Sequence, residues 1–200
     1  MTDGASNNKL AFRDSEEFEH LWCVLHKLQL AVKDSVNDSA VGSVKTKKVV
    51  AKCNKLAVKV RKSPEKTREL KEACRRLGIK FKTLKKANAT RWNSVLMNMQ
   101  SLDDVEKALK HLAMEDSDFW RDRGLLTEEW KMVKGMIRVL EKVRVITKCL
   151  EAEKNSTSNL VISLLFDLKV YLEAFEKNKE NDRQFHLILI VFFYCCFQVL

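Results

Sequence analysis

At 200 residues the chain is long enough for one domain with a substantial core, or for two small ones. It is 46% apolar and 32% charged with one proline and five glycines, the balance of a soluble globular protein. So few breakers argue against a loop-rich β protein and for long helices, and a net charge of +10 fits an acidic partner.

In chain order, residues 1–8 read as a strand end opening into a loop, with Gly4 at the turn and a helix following to about Phe18. Residues 21–38 are apolar at Leu21, Val24, Leu25, Leu28, Leu30, Ala31 and Val32. They fit a strand, a helix, or a strand continuing as a helix. Residues 44–62 place Val49, Cys53, Leu56, Ala57 and Val60 on one helical face, with lysines around the rest. Ser63-Pro64-Glu65 is a helix start: a capping hydroxyl, proline at the first position and an acid in the first turn. That helix is predicted to end near Leu77, with Gly78 as its stop.

Residues 79–89 read as a basic connector. Thr90 is placed to cap a helix that turns Trp92, Val95, Leu96, Met99, Leu102, Val105 and Leu109 inward. Residues 114–126 read as an acid-rich linker containing Trp120. Thr127-Glu128-Glu129 opens a long helix to about Ala152, with Trp130, Val133, Ile137, Leu140, Val143 and Leu150 inside. Ser158 caps a further helix through Phe175. From Phe185 to Leu200 only His186 and Gln198 are polar. As a helix that stretch spans roughly 24 Å, short of the ~30 Å hydrocarbon core. A tail anchor, a buried element of a larger domain and a non-native terminus all stay open for it; membrane spanning is the least favoured.

The charge is concentrated. Residues 45–91 hold 18 Lys and Arg against 3 Glu, a net of +15, whereas the rest holds 19 against 24, a net of −5. Two readings compete for this segment: a solvated helix face, and contact with a polyanion such as DNA phosphate. Six cysteines fall at 23, 53, 74, 149, 195 and 196 without a regular framework, and Met1 is followed by polar residues rather than a signal sequence. Reduced thiols in cytosol or nucleus follow. Cys23 and His26 make half a zinc site at most.

Three motifs carry chemistry. Thr2-Asp3-Gly4-Ala5-Ser6-Asn7 offers a carboxylate at a turn, and an Asp beside Gly is most often only a turn residue. Cys23-Val24-Leu25-His26-Lys27-Leu28-Gln29-Leu30 has the form Cys-x-x-His-x-Leu-x-Leu, which a buried Cys and a packed His also explain. Thr90-Arg91-Trp92-Asn93-Ser94 sets a guanidinium suited to phosphate beside an indole suited to an unstacked base. A core tryptophan on an amphipathic helix fits Trp92 equally.

As a set, these motifs resemble the middle of an hAT-family DNA transposase, the superfamily that includes many BED-type zinc-finger proteins. The resemblance covers roughly residues 2–175. It implies a mainly α chain: a truncated piece of an RNase H-like α/β domain followed by an all-helical insertion. The implied divisions are 1–38 for the catalytic-core remnant, 39–178 for the helical insertion with its basic segment 45–91, and 179–200 for the apolar tail.

The resemblance also implies roles. Asp3 matches one of three carboxylates that bind Mg2+ or Mn2+ in the parent enzyme. Cys23 and His26 would support the active site. Trp92 would stack on a flipped nucleotide, and Arg91 with Lys47, Lys48, Lys52, Lys55, Lys85 and Lys86 would contact DNA. Glu128, Glu129, Glu151 and Glu173 fall within the insertion and match no catalytic position. With one of three carboxylates present, no tight metal binding and no catalysis by this chain alone are expected. The expected partner is DNA, through its phosphates and at transposon ends. The expected location is the nucleus, and the parent family implies a homo-oligomer. The alternative reading is a non-enzymatic DNA-binding or protein-interaction protein derived from a transposase.

Overall fold

The computed structural model describes residues 28–30, 32, 44–88, 92–115, 118–150 and 161–177. Seven helices are present among these residues: α1 (Val44–Lys62), α2 (Pro64–Arg76), α3 (Trp92–Asp103), α4 (Glu106–Met114), α5 (Asp118–Arg123), α6 (Thr127–Leu150) and α7 (Val161–Lys177). No strand occurs among the described residues. The helical part of the expected fold is observed. The α/β remnant at 1–38 falls almost wholly outside the described residues; 28–30 and 32 are helical.

The chain divides into two compact units, Ser43–Lys142 and Met1–Gly42 with Val143–Leu200. In the first, α1 packs on α2 and α3, α2 on α4, and α4 on α5. The face of α1 read from the sequence is buried, with Thr46 and Val50 added to it. Leu70, Ala73 and Cys74 of α2 and Val95, Leu96, Met99 and Leu102 of α3 complete this part of the core. Three polar links bring α6 onto the others: Lys52 to Glu129 at 2.7 Å, Lys134 to Glu106 at 2.6 Å, and Gln100 to Glu141 at 2.6 Å. In the second unit, α7 buries Leu165, Leu168, Leu172 and Phe175 along one face.

Local chemistry sets the helix ends. Ser63 Oγ accepts the Lys66 N–H at 3.3 Å, and Pro64 opens α2. At its other end Gly78 adopts φ 65°. The Ile79 N–H donates to the Cys74 carbonyl at 2.8 Å and the Gly78 N–H to the Arg75 carbonyl at 3.2 Å, a Schellman stop. Glu129 reaches back to accept the Leu126 N–H at 2.7 Å, which supplies the acidic half of a capping box for α6.

Three expectations need correction. The helix beginning near Trp92 does not run unbroken to Leu109. It ends at Asp103, and the Val105 N–H bonds the Leu102 carbonyl at 3.1 Å in a tightened turn before α4 starts. Asp103 and Asp104 lie at the negative end of the α3 dipole, which disfavours continuation. The stretch 114–126 is not simply a linker. It contains α5, whose Trp120 is buried and donates its indole N–H to Glu69 at 2.6 Å. Burial works to raise the Glu69 carboxyl, but hydrogen bonds from Lys66 and Trp120 outweigh it and hold the group below the ordinary range.

The third correction concerns 79–88. These residues have no regular structure, yet they form a pinned strap rather than a loose connector. The Lys85 N–H donates to Ser101 Oγ at 2.8 Å, and Asn98 Nδ2 donates to the Lys85 carbonyl at 2.6 Å. The Ala87 N–H donates to Asn54 Oδ1 at 3.0 Å, and the Asn88 N–H to Ser94 Oγ at 2.6 Å. Leu84 and Ala87 are buried beneath it. Side chains of α1 and α3 thus satisfy backbone groups that a strap cannot satisfy itself.

Two glycine substitutions separate conformational from steric cost. A Cβ at Gly78 meets nothing within 4 Å, so Gly78→Ala should cost about 1 kcal/mol, through its left-handed φ alone. A Cβ at Gly124 would lie 2.8 Å from the Trp120 backbone oxygen, so Gly124→Ala should cost about 1–3 kcal/mol. Urea unfolding of both variants checks the order; equal midpoints would contradict it.

Candidate nucleic-acid interface

The buried face of α1 leaves the opposite face to its cations. Lys48, Lys55, Lys59 and Lys62 fall within about 60° of one another around the axis and extend along roughly 21 Å of it. All four are exposed. Lys47 and Arg61 lie at i−7 and i+7 from Asn54, on its side of the helix. Because Asn54 anchors the strap at Ala87, Lys85 and Lys86 join the same surface. Both of these lysines are exposed too.

The ion-pair pattern divides the basic segment. Lys52 pairs with Glu129, Lys66 with Glu69, Arg75 with Glu72, Arg76 with Glu115 at 3.4 Å, and Lys82 with Asp104 at 2.9 Å. Lys71 lies 5.3 Å from the centre of the Phe81 ring. By contrast, Lys47, Lys48, Lys55, Lys59, Arg61, Lys62, Lys85 and Lys86 have no acidic partner among the described residues. These eight lie on α1 and the strap; Arg68 on α2 and Lys80 on the strap are exposed without an ion pair among the described residues too, whereas the paired cations tie helices together, lie along α2 or, as Lys82, fasten the strap to Asp104. An exposed ion pair is worth little in stability, but it does neutralise its cation toward a polyanion.

Of the residues singled out from sequence, Lys47, Lys48, Lys55, Lys85 and Lys86 come together on this surface. Lys52 does not: it is half-buried and its ammonium holds α6 through Glu129. Trp92 opens α3 with its side chain 7% exposed, so its indole offers no free face for a base in this conformation. Its apolar surface is used in the core. Arg91, Asp3, Cys23 and His26 lie outside the described residues. Lys59, Arg61 and Lys62 belong to the interface but were not singled out. The signal for Lys59 and Lys62 was their i+4 and i+7 spacing from Lys55, and for Arg61 its i+7 spacing from Asn54.

Elsewhere, a cleft of ≈ 380 Å³ is lined by Leu56, Leu109, Trp120, Leu125, Trp130 and Lys110 among others. Its Lys110 is engaged with Glu106 at 2.6 Å. Among the described residues no group of three His, Cys, Asp or Glu comes together to hold a metal ion. No described helix is long and apolar enough to cross a membrane.

The first unit is thus mainly helical and carries eight cations without acidic partners among the described residues. Residues 21–139 match the family model of the ZBED1 RNase-like helical domain. The chain belongs to that family and is an hAT-family transposase-like protein. It is also similar to a protein of Zea mays described as a putative AC transposase, 29% identical over 182 residues. That alignment takes in 84% of this chain and 22% of the relative, so the chain spans about a fifth of the curated relative it matches. No solved structure matches it.

Two cysteines give a chemical test of the packing of α1, one buried in it and one exposed elsewhere in the chain. Burial pushes the Cys53 thiol up to about 12, with the nearby Glu129 carboxylate adding to the effect. The folded state therefore holds a proton that the unfolded state releases near pH 9.0. Stability from this group is complete below that pH and is lost as pH rises toward about 12. Cys149 is exposed. At pH 8 a thiol reagent should label Cys149 within the mixing time and leave Cys53 untouched until denaturant is added. Peptide mass mapping reads this out, and rapid labelling of Cys53 in the folded chain would contradict the packing of α1.

Proposed function

We propose that this chain is a DNA-contacting helical segment of an hAT-type transposase, binding the phosphate backbone through α1 and the strap. The observation that carries the reading is the clustering of eight exposed cations without acidic partners on α1 and the strap, in a segment where Lys52, Lys66, Arg75, Arg76 and Lys82 are paired. Unpaired ammonium groups release counterions from DNA on contact. B-DNA presents one phosphate per about 3.4 Å of axis on each strand, so a cation line of roughly 21 Å passes about six phosphates of one strand. A surface made almost wholly of lysines would contact chiefly backbone charge. The nucleus is where such a chain would meet its partner.

DNA strand transfer belongs to the whole transposase that the family describes. Asp3 would contribute one ligand to its Mg2+ or Mn2+, with Cys23 and His26 supporting the active site and Arg91 contacting DNA. Self-association, which the family implies, would present more than one basic surface to a DNA duplex.

Binding to a fluorescent duplex, titrated with salt, tests the reading. Affinity should fall with a log–log slope of about −4.5 to −6.3, as expected for roughly five to seven phosphate contacts. Replacing Lys55 and Lys59 with Gln should lower the slope by about two. Replacing Lys52 with Gln should leave the slope unchanged and cost about 1 kcal/mol or less of stability, given its half-exposed pair. Absence of binding at low salt, or indifference to salt, would refute DNA contact.

A further inference from the structure

The junction of α1 and α2 joins two features that the DNA reading leaves unused. The first is the sequence Arg61-Lys62-Ser63-Pro64-Glu65-Lys66, a hydroxyl followed at once by the chain's one proline and three positions later by a lysine. A kinase with an apolar pocket after the acceptor residue and an acidic one two positions further on takes this pattern. The second is placement. Ser63 is half-exposed between the exposed Lys62 and Pro64, in extended backbone at φ −108°, ψ 111°. Arg61 and Lys62, directly before it, are exposed members of the unpaired cation surface.

We propose that Ser63 is a phosphorylation site for a proline-directed protein kinase, and that its phosphate weakens DNA binding by the adjoining basic face. The proposal rests on the DNA reading for its consequence but not for the modification itself. In the transfer step Ser63 Oγ attacks the terminal phosphorus of a nucleoside triphosphate. The new P–O bond forms as the bond to the bridging oxygen breaks, the nucleoside diphosphate leaves, and the hydroxyl proton passes to the kinase's general base. No electrons are gained or lost.

The fold permits this exchange. The Ser63 hydroxyl is held by one long bond, from the Lys66 N–H at 3.3 Å. Entry into a kinase cleft requires the first turn of α2 to open, and that turn is closed by the Thr67 N–H to the Ser63 carbonyl at 3.0 Å. Once added, a phosphate at this position faces the positive end of the 13-residue α2, which favours a dianion. Its charge of about −2 also sits beside Arg61 and Lys62 and competes with DNA phosphate for both. The two effects run in opposite directions, and that separates the proposal from simple damage to the fold: α2 is held more firmly while DNA is held less.

The test uses the full chain with a proline-directed kinase and a nucleoside triphosphate, with phosphate located by peptide mass mapping. One phosphate on Ser63 is expected, none on Ser63→Ala, and none on Pro64→Ala, which keeps the hydroxyl. The phosphorylated chain should keep its helical circular dichroism and bind duplex DNA about ten-fold or more weakly near 0.1 M salt, with the salt slope reduced by about two. No phosphate on Ser63 of the folded chain overturns the proposal. So does a phosphorylated chain with unchanged DNA affinity and slope. Failure of the unmodified chain to bind DNA is a different result, and it removes the reading on which the consequence depends.

Discussion

Self-repulsion among 18 cations within residues 45–91 is the constraint to which the rest of the described structure answers. Like charges this dense oppose a compact fold unless they are neutralised or held apart. Both solutions are present, in different places. Carboxylates from later in the chain, Asp104, Glu115 and Glu129, neutralise the cations that face neighbouring helices. Within α2, Lys66 and Arg75 pair with Glu69 and Glu72, and Lys45, Lys47, Lys48, Lys55, Lys59, Arg61 and Lys62 are exposed on the 19-residue α1, where water screens them. The net −5 outside the segment is therefore part of how the segment folds, because some of those acids are its ion-pair partners.

Glu129 shows how closely charge and architecture are joined. One carboxylate accepts from the Leu126 N–H to start α6 and from Lys52 to hold α6 against α1. Its negative charge also helps to keep the neighbouring Cys53 thiol protonated. Loss of this group would expose an uncapped helix start and release a cation at once. That coupling is why Lys52, similar in sequence to its neighbours on α1, belongs with the scaffold rather than with the polyanion surface. The difference between Lys52 and Lys55 is set by what stands opposite each side chain, not by local sequence.

The same distinction explains what was legible. Local signals were readable: the apolar stripe of α1, the Ser63-Pro64 start, the Gly78 stop and the opening of α6 all rest on residues close in sequence. What was missed depends on distant partners. Trp120 looked like a linker residue because its hydrogen-bond acceptor, Glu69, is 51 positions away. The strap looked like a connector because Asn54, Ser94, Asn98 and Ser101, which pin it, gave no sign of pairing with its backbone. For the site, the segment's charge was plain from sequence, while the sorting into paired and unpaired cations required the fold. The Thr90-Arg91-Trp92 motif marked the family. Motif identity alone left two uses open for the indole, and its burial on α3 shows the packing use.

The strap and α1 together show why the basic surface has a definite shape. A lysine on a free loop loses conformational entropy when it binds, whereas backbone already fixed by hydrogen bonds has paid that cost in folding. Lys85 and Lys86 stand on such backbone, held at Lys85 by Ser101 and Asn98 and at Ala87 by Asn54. Asn54 thereby sets the register between strap and helix, placing two strap lysines against the middle of α1 rather than beyond either end. Preorganised backbone with mobile side-chain tips suits a ligand whose charges recur at fixed intervals but whose sequence varies. Under the proposed DNA contact, such a surface would follow a phosphate backbone through charge that recurs along both partners.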